Sequence, residues 1–156
     1  MIQKLCFNFQ ELFHSDIADA HGWDNTTSNP VILTKLMQLV WYLLMPIRTE
    51  IYKVYKVGLS LDGCYRGEKV RAFLKAAKTG HPDGECADLI CSALGAYELF
   101  HFIINLRNKG LIEYDQLILE YNANNMCVHI GYRHGQNRNQ TLIRKIVGGK
   151  YVYTAI

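Results

Sequence analysis

The period of apolar and polar positions changes several times along the 156 residues, and each change predicts an element. A short helix is expected from Phe9 to His14, followed by SDIADAHGWDNTTSNP, a stretch of turn formers that reads as a loop. Asn29 can cap a helix that Pro30 opens, and Ile32, Leu36, Leu39, Val40, Leu43 and Leu44 then recur at helical spacing, with Pro46 near the end. IYKVYKVGLSL alternates and predicts a strand, GEKVRAFLKAAK a short helix, and ECADLIC a buried strand. Leu94 to Asn108 predicts a second long helix, closed by Lys109-Gly110. DQLILEY and CVHIGY, joined by the tight polar NANN, predict an antiparallel hairpin; TLIRKIV and KYVYTAI around Gly148-Gly149 predict another. Helices first and antiparallel strands later give an α+β class: a small antiparallel sheet packed against N-terminal and central helices, in one domain spanning 1–156.

Composition narrows the class without naming an activity. Hydrophobic content of 49% with 20% charged residues is ordinary for a globular chain. The most apolar segment, LMQLVWYLLMPI, is broken by Gln38 and Pro46, so no apolar run approaches the ~20 residues that span a bilayer. MIQKLCFNFQEL lacks the layout of a secretory signal. The net charge of +3 includes a C-terminal group of Arg133, Arg138, Arg144, Lys145 and Lys150, which without a nucleic-acid-binding motif reads as a solvated basic surface. Five cysteines at positions 6, 64, 86, 91 and 127 fit reduced thiols, and the absence of C-x-x-C argues against a four-thiolate zinc site.

Candidate chemistry begins at HPDGECADLIC, residues 81–91. Asp88 sits between Ala87 and Leu89 at the start of an apolar strand, where an unpaired carboxylate is costly, so a cation or a metal ion is its natural partner. His129 lies in the middle of CVHIGY, and strand alternation puts Cys127, His129 and Gly131 on one face. His81, Asp88 and His129 with a fourth position left to water are the composition of a catalytic zinc site. A strand histidine is more often a hydrogen-bonded core residue, and an aspartate at a strand start more often a turn residue, so spacing alone leaves both readings open. His14, His21, His101 and His134 read as surface or packing residues.

T-G-H-P-D-G-E-C-A-D resembles S-x-H-x-x-G-x-A-x-D, the first zinc motif of the D-alanyl-D-alanine carboxypeptidase family of metallopeptidases, which also includes phage endolysins and vancomycin-resistance dipeptidases. CVHIGY resembles the second motif, usually W-V-H-I-S-Y, and GCYRG resembles S-G-Y-R-S. DQLILE, FNFQELFHSDIADAHGWDN and LLMPIR look like segments of the phage-like branch, so the resemblance runs to about Leu142. It implies a hedgehog-like α+β domain with Zn2+ at the sheet, held by His81, Asp88 and His129. It further implies substrate contacts from Arg66, at the YR position, and from Thr79, at the serine position.

The chain departs from the family where the general base is expected. Many relatives carry it two or three residues before the last ligand, where this chain has Cys127 and Met126. Glu120 is the remaining candidate, provided the hairpin pairs it with Cys127; a one-residue slip would turn it away. Asp115 is second choice, better read as a strand-start residue or one that orients a ligand. Cys86 and Cys127 share faces with Asp88 and His129 and read as small buried hydrophobes. The implied function is hydrolysis of peptidoglycan stem-peptide bonds, as carboxypeptidase or endopeptidase, by a phage- or prophage-encoded monomer. It would be made in the cytoplasm, act on the wall after release, bind no nucleic acid and not insert into the membrane. The competing expectation is a catalytically impaired zinc-binding domain of the same fold, serving as a phage structural or binding protein.

Overall fold

The computed structural model describes residues 6–75, 80–122 and 125–156. Helix α1 (Phe9–Phe13) opens with a capping box: the Asn8 side chain accepts from the Glu11 N–H, and the Glu11 carboxylate accepts from the Asn8 N–H. The segment expected to be a loop contains a further helix, α2 (Asp16–His21), capped by Ser15 and closed by Gly22 at φ +63. Ser15 and Gly22 are therefore caps, while Asp24 and Thr27 make the expected side-chain turns.

Helix α3 (Pro30–Leu39) starts as expected, with the Asn29 side chain accepting from the Val31 N–H. The helix does not stop near Pro46. A π-helical segment (Val40–Leu44), closed by a Met45 N–H to Val40 carbonyl bond, leads directly into α4 (Met45–Tyr55). A proline inside a helix removes one donor and crowds the carbonyl four residues back; the wider turn just before it makes room for the ring. The IYKVY stretch expected to be strand is consequently helix, and β1 covers only Leu59–Gly63. Together Pro30–Tyr55 is long and apolar enough, by length and composition, to cross a membrane. Its inner face nevertheless belongs to the protein's own core: Leu36, Leu39, Leu43, Leu44, Ile47 and Ile51 are fully buried.

The remaining elements are α5 (Glu68–Phe73), β2 (Cys86–Cys91), α6 (Ala96–Asn108), β3 (Gln116–Tyr121), β4 (Met126–Gly131), β5 (Gln140–Val147) and β6 (Lys150–Ala155). They build one six-stranded sheet in the order β1-β2-β4-β3-β5-β6. The sheet is mixed rather than antiparallel, because β3 and β5 run parallel. The cause is local. After β4 the chain returns to the start of β3, where Asn139 N–H bonds the Tyr114 carbonyl and Gln140 N–H the Asp115 carbonyl, so β5 sets out beside the beginning of β3.

Alternation along the strands sorts the sheet into two faces. Leu59, Ala87, Leu89, Leu117, Leu119, Val128 and Ile130 join Leu99, Phe100 and Ile103 of α6 and the inner face of α3–α4 in one core. Asp88, His129, Glu120 and Arg144 lie on the other face. Beyond β3 the sheet continues only as the β5–β6 hairpin, whose last strand is exposed along its length.

Candidate metal centre

Three neighbouring structures bring the motif residues together. Asp88 in β2 is directly opposite His129 in β4, and on its other side opposite Gly63 of β1, next to an irregularity in the β1 pairing. His81 arrives from the turn that precedes β2. Hydrogen bonds from Glu85 N–H to Gly80 O and from Gly84 N–H to His81 O close this turn. Gly84 has φ +72, and a Cβ there would stand 2.9 Å from the Ile32 carbonyl oxygen and 2.9 Å from Leu36 Cγ, so glycine lets the turn rest directly on α3.

The donor atoms converge. His81 Nε2 is 3.2 Å from His129 Nδ1 and 3.4 Å from Asp88 Oδ1, and His129 Nδ1 is 2.8 Å from Asp88 Oδ1. Three donors held at ~2.0–2.1 Å around one tetrahedral ion stand roughly 3.3 Å apart, so these separations suit a shared metal. All three residues are buried, and together they form a group that could hold a metal ion.

The surrounding bonds set the tautomers and charges. His81 Nδ1–H donates to the Cys64 carbonyl at 2.6 Å, which leaves the Nε2 lone pair facing the cluster. Arg66 donates through Nη2 to Asp88 Oδ2 at 2.7 Å, leaving Oδ1 for the cluster. Burial disfavours the His81 imidazolium and lowers its pKa. Burial also opposes charge on His129, but its hydrogen bond to Asp88 outweighs that and raises its pKa. Asp88, although buried, is held below the usual carboxylate range by its bonds to the two histidines. Without metal the cluster therefore keeps one proton, between His129 and Asp88.

The backbone on either side of Arg66 is fixed by Asn25, a buried residue that nothing in the sequence pattern marks out. Its Nδ2 donates to the Phe13 and Tyr65 carbonyls at 2.7 and 3.1 Å, and its Oδ1 accepts from the Gly67 N–H at 2.8 Å. Thr79, the other substrate-contact candidate, lies outside the described residues.

The cluster lines a cavity of about 460 Å³ that also takes in Arg66, Glu85, Asp115, Glu120, Arg133, Arg138 and Arg144. Glu120 is opposite Cys127, the register that puts it on the face of His129. Burial raises its carboxyl pKa, while His129 and then Arg144 act to lower it. Its Oε2 is 2.7 Å from Arg144 Nη2, a partner that comes from the parallel strand β5. Asp115 does not orient a histidine: Arg138 donates to it through Nε at 2.7 Å and Nη2 at 2.6 Å. Cys86 is buried on the Asp88 side, and the Cys127 thiol is pushed up to about 12, chiefly by burial, so it stays protonated.

Three of the four cavity arginines, 133, 138 and 144, belong to the group read as solvated surface. Their convergence depends on the loop after β4 and on the parallel pairing of β5, neither of which spacing reveals. The strand parity of Glu120 and Cys127 was the one signal available for the fourth carboxylate of the cavity. No protein-family model matches this chain, and neither does any curated protein.

Proposed function

We propose that the chain is a zinc peptidase of the D-alanyl-D-alanine carboxypeptidase type, hydrolysing stem-peptide bonds of peptidoglycan. The observation that carries this reading is a His-Asp-His donor group and a separate half-buried carboxylate, Glu120, lining one cavity. A bound zinc would supply Lewis acidity at that site, polarising a peptide carbonyl and acidifying water. His81, Asp88 and His129 would hold it. Glu120 accepts the proton of the attacking water and delivers it to the departing amine, a role that its burial favours by keeping its pKa above that of a solvated carboxylate. Arg66 keeps Asp88 oriented through Oδ2 and borders the space open to substrate. The protein acts on the wall after release from the cell, as a single copy.

The ion pair between Glu120 and Arg144 favours a second reading, a zinc-binding domain of impaired catalysis used for attachment. Hydrolysis of purified peptidoglycan and of synthetic stem peptides, measured for the wild type and Glu120→Gln, separates the two. The peptidase reading expects a zinc-dependent cut and a loss of about 10²–10⁴-fold in rate with zinc retained. Stoichiometric zinc without any cleavage supports the binding domain. A wild type that takes up no zinc removes both.

A further inference from the structure

We infer that Arg133 and Arg138 form a carboxylate-binding subsite in the same cavity, so that preferred peptides carry a free carboxylate about two residues from the bond presented to the metal centre. This deepens the peptidase reading and rests on it. Arg133 follows Gly131 by two residues, and Arg138 bonds Asp115, whose backbone N–H donates to the Gly131 carbonyl at 2.7 Å. Gly131 lies two positions along β4 from His129 on the same face, a displacement of about 7 Å at the strand rise. An extended peptide advances by ~3.3–3.6 Å per residue, which makes that displacement two residues of substrate.

The arginines are held in place. Asp115, only 4% exposed, takes a two-pronged bond from Arg138 and also accepts from its backbone N–H at 3.2 Å. Arg133 donates through Nε to Glu85 at 3.0 Å, and its backbone N–H is bonded by the Asn137 side chain at 2.8 Å. The loop that carries both is pinned by Tyr132 N–H to the Glu85 carbonyl and by Asn139 N–H to the Tyr114 carbonyl.

Donors nevertheless remain. Among the described residues, both terminal nitrogens of Arg133 and Nη1 of Arg138 have no hydrogen-bond partner in the protein, and each side chain is 44% exposed. Lys35 shares Glu85 with Arg133, so neither carboxylate is reserved for one arginine. Solvated surface arginines would diverge into water, whereas these converge on a cavity shared with the metal centre. A pre-set guanidinium pair with spare donors matches the planar, two-pronged geometry of a carboxylate.

The test uses acetylated tetrapeptides in pairs that differ only by glutamate or glutamine at one position. Calorimetric titration into zinc-loaded wild type, Arg133→Gln and Arg133→Lys is followed by mass spectrometry of the same samples for cleavage. The subsite predicts a glutamate preference of about tenfold at one position, lost in Arg133→Gln and partly kept in Arg133→Lys. Equal binding of the two peptides, no binding of either, or a preference that survives Arg133→Gln overturns it. Cleavage without preference sinks the subsite and leaves the peptidase reading standing. Preference without cleavage does the reverse.

Discussion

Replacing Gly84 by alanine should damage the protein in two separable ways. At φ +72 an alanine sits in the left-handed region, which costs about 1–2 kcal/mol for a residue with a Cβ. The added carbon would also stand 2.9 Å from the Ile32 carbonyl oxygen and from Leu36 Cγ, and one of these is backbone within α3. Overpacking of this kind adds about 1–3 kcal/mol, because helix or turn must shift. The expected total is about 2–5 kcal/mol. Gly110→Ala is the matched control: it has φ +69 with nothing within 4 Å of the added carbon, so only the backbone cost of about 1–2 kcal/mol applies. Urea unfolding of the metal-free proteins, followed by circular dichroism and tryptophan fluorescence, measures both. Zinc titration then shows whether the shift of the turn reaches His81, three residues away. Gly84→Ala should bind zinc more weakly and Gly110→Ala should not. If the two variants lose the same stability and bind zinc equally, the turn is not seated on α3 as described, and the account of how His81 is positioned fails.

Zinc uptake at pH 7 should release about one proton per ion, since His129 holds a proton that a metal must displace; calorimetry in buffers of different ionisation enthalpy reads the number. Asp88 and Asp115 both have carboxyl pKa values below their ordinary 3.8, so their stabilising contribution is complete above that value and is lost as pH falls through the lower folded-state values. Unfolding free energy of the metal-free protein should therefore fall steeply below about pH 4, and less steeply in Asp88→Asn, as acid titration of the unfolding midpoint would show. Asp115→Asn leaves Arg138 without its charged partner and should cost about 1.5–3 kcal/mol in urea unfolding, with zinc binding unchanged.

How far the sequence announced this arrangement varies by residue. The start of α3 was legible because Asn29 and Pro30 act through bonds within one turn. The register of Glu120 opposite Cys127 was legible as parity, because a short hairpin leaves few registers, whereas Asp88 and His129 meet across strands 41 residues apart, a pairing that no local pattern announced. Ile51 to Tyr55 misled, since a proline normally ends a helix and the π turn that accommodates Pro46 has no signature in the spacing of apolar residues. Arg144 was hidden for another reason: its neighbour Glu120 is supplied by a strand 24 positions earlier, paired in parallel, and no local pattern encodes that choice. Arg133 and Arg138 were visible only as charge, and what turns charge into a site is the loop that bends back to Tyr114.

The attachment of the last hairpin through β3 alone has a consequence for how the molecule breathes. The strands that carry the three donor residues, and the turn before β2, have partners on both sides or a helix beneath them; among the described residues, β3 is the one strand that pairs with the β5–β6 hairpin. Opening of that hairpin exposes little of the core, so amide protons of Arg144 to Val152 should exchange with solvent well ahead of those of Asp88 and His129. In the opened species the donor group is intact while Glu120 has lost Arg144. Tight metal retention and competence for chemistry would then be governed by two different stabilities, the first global and the second belonging to one hairpin.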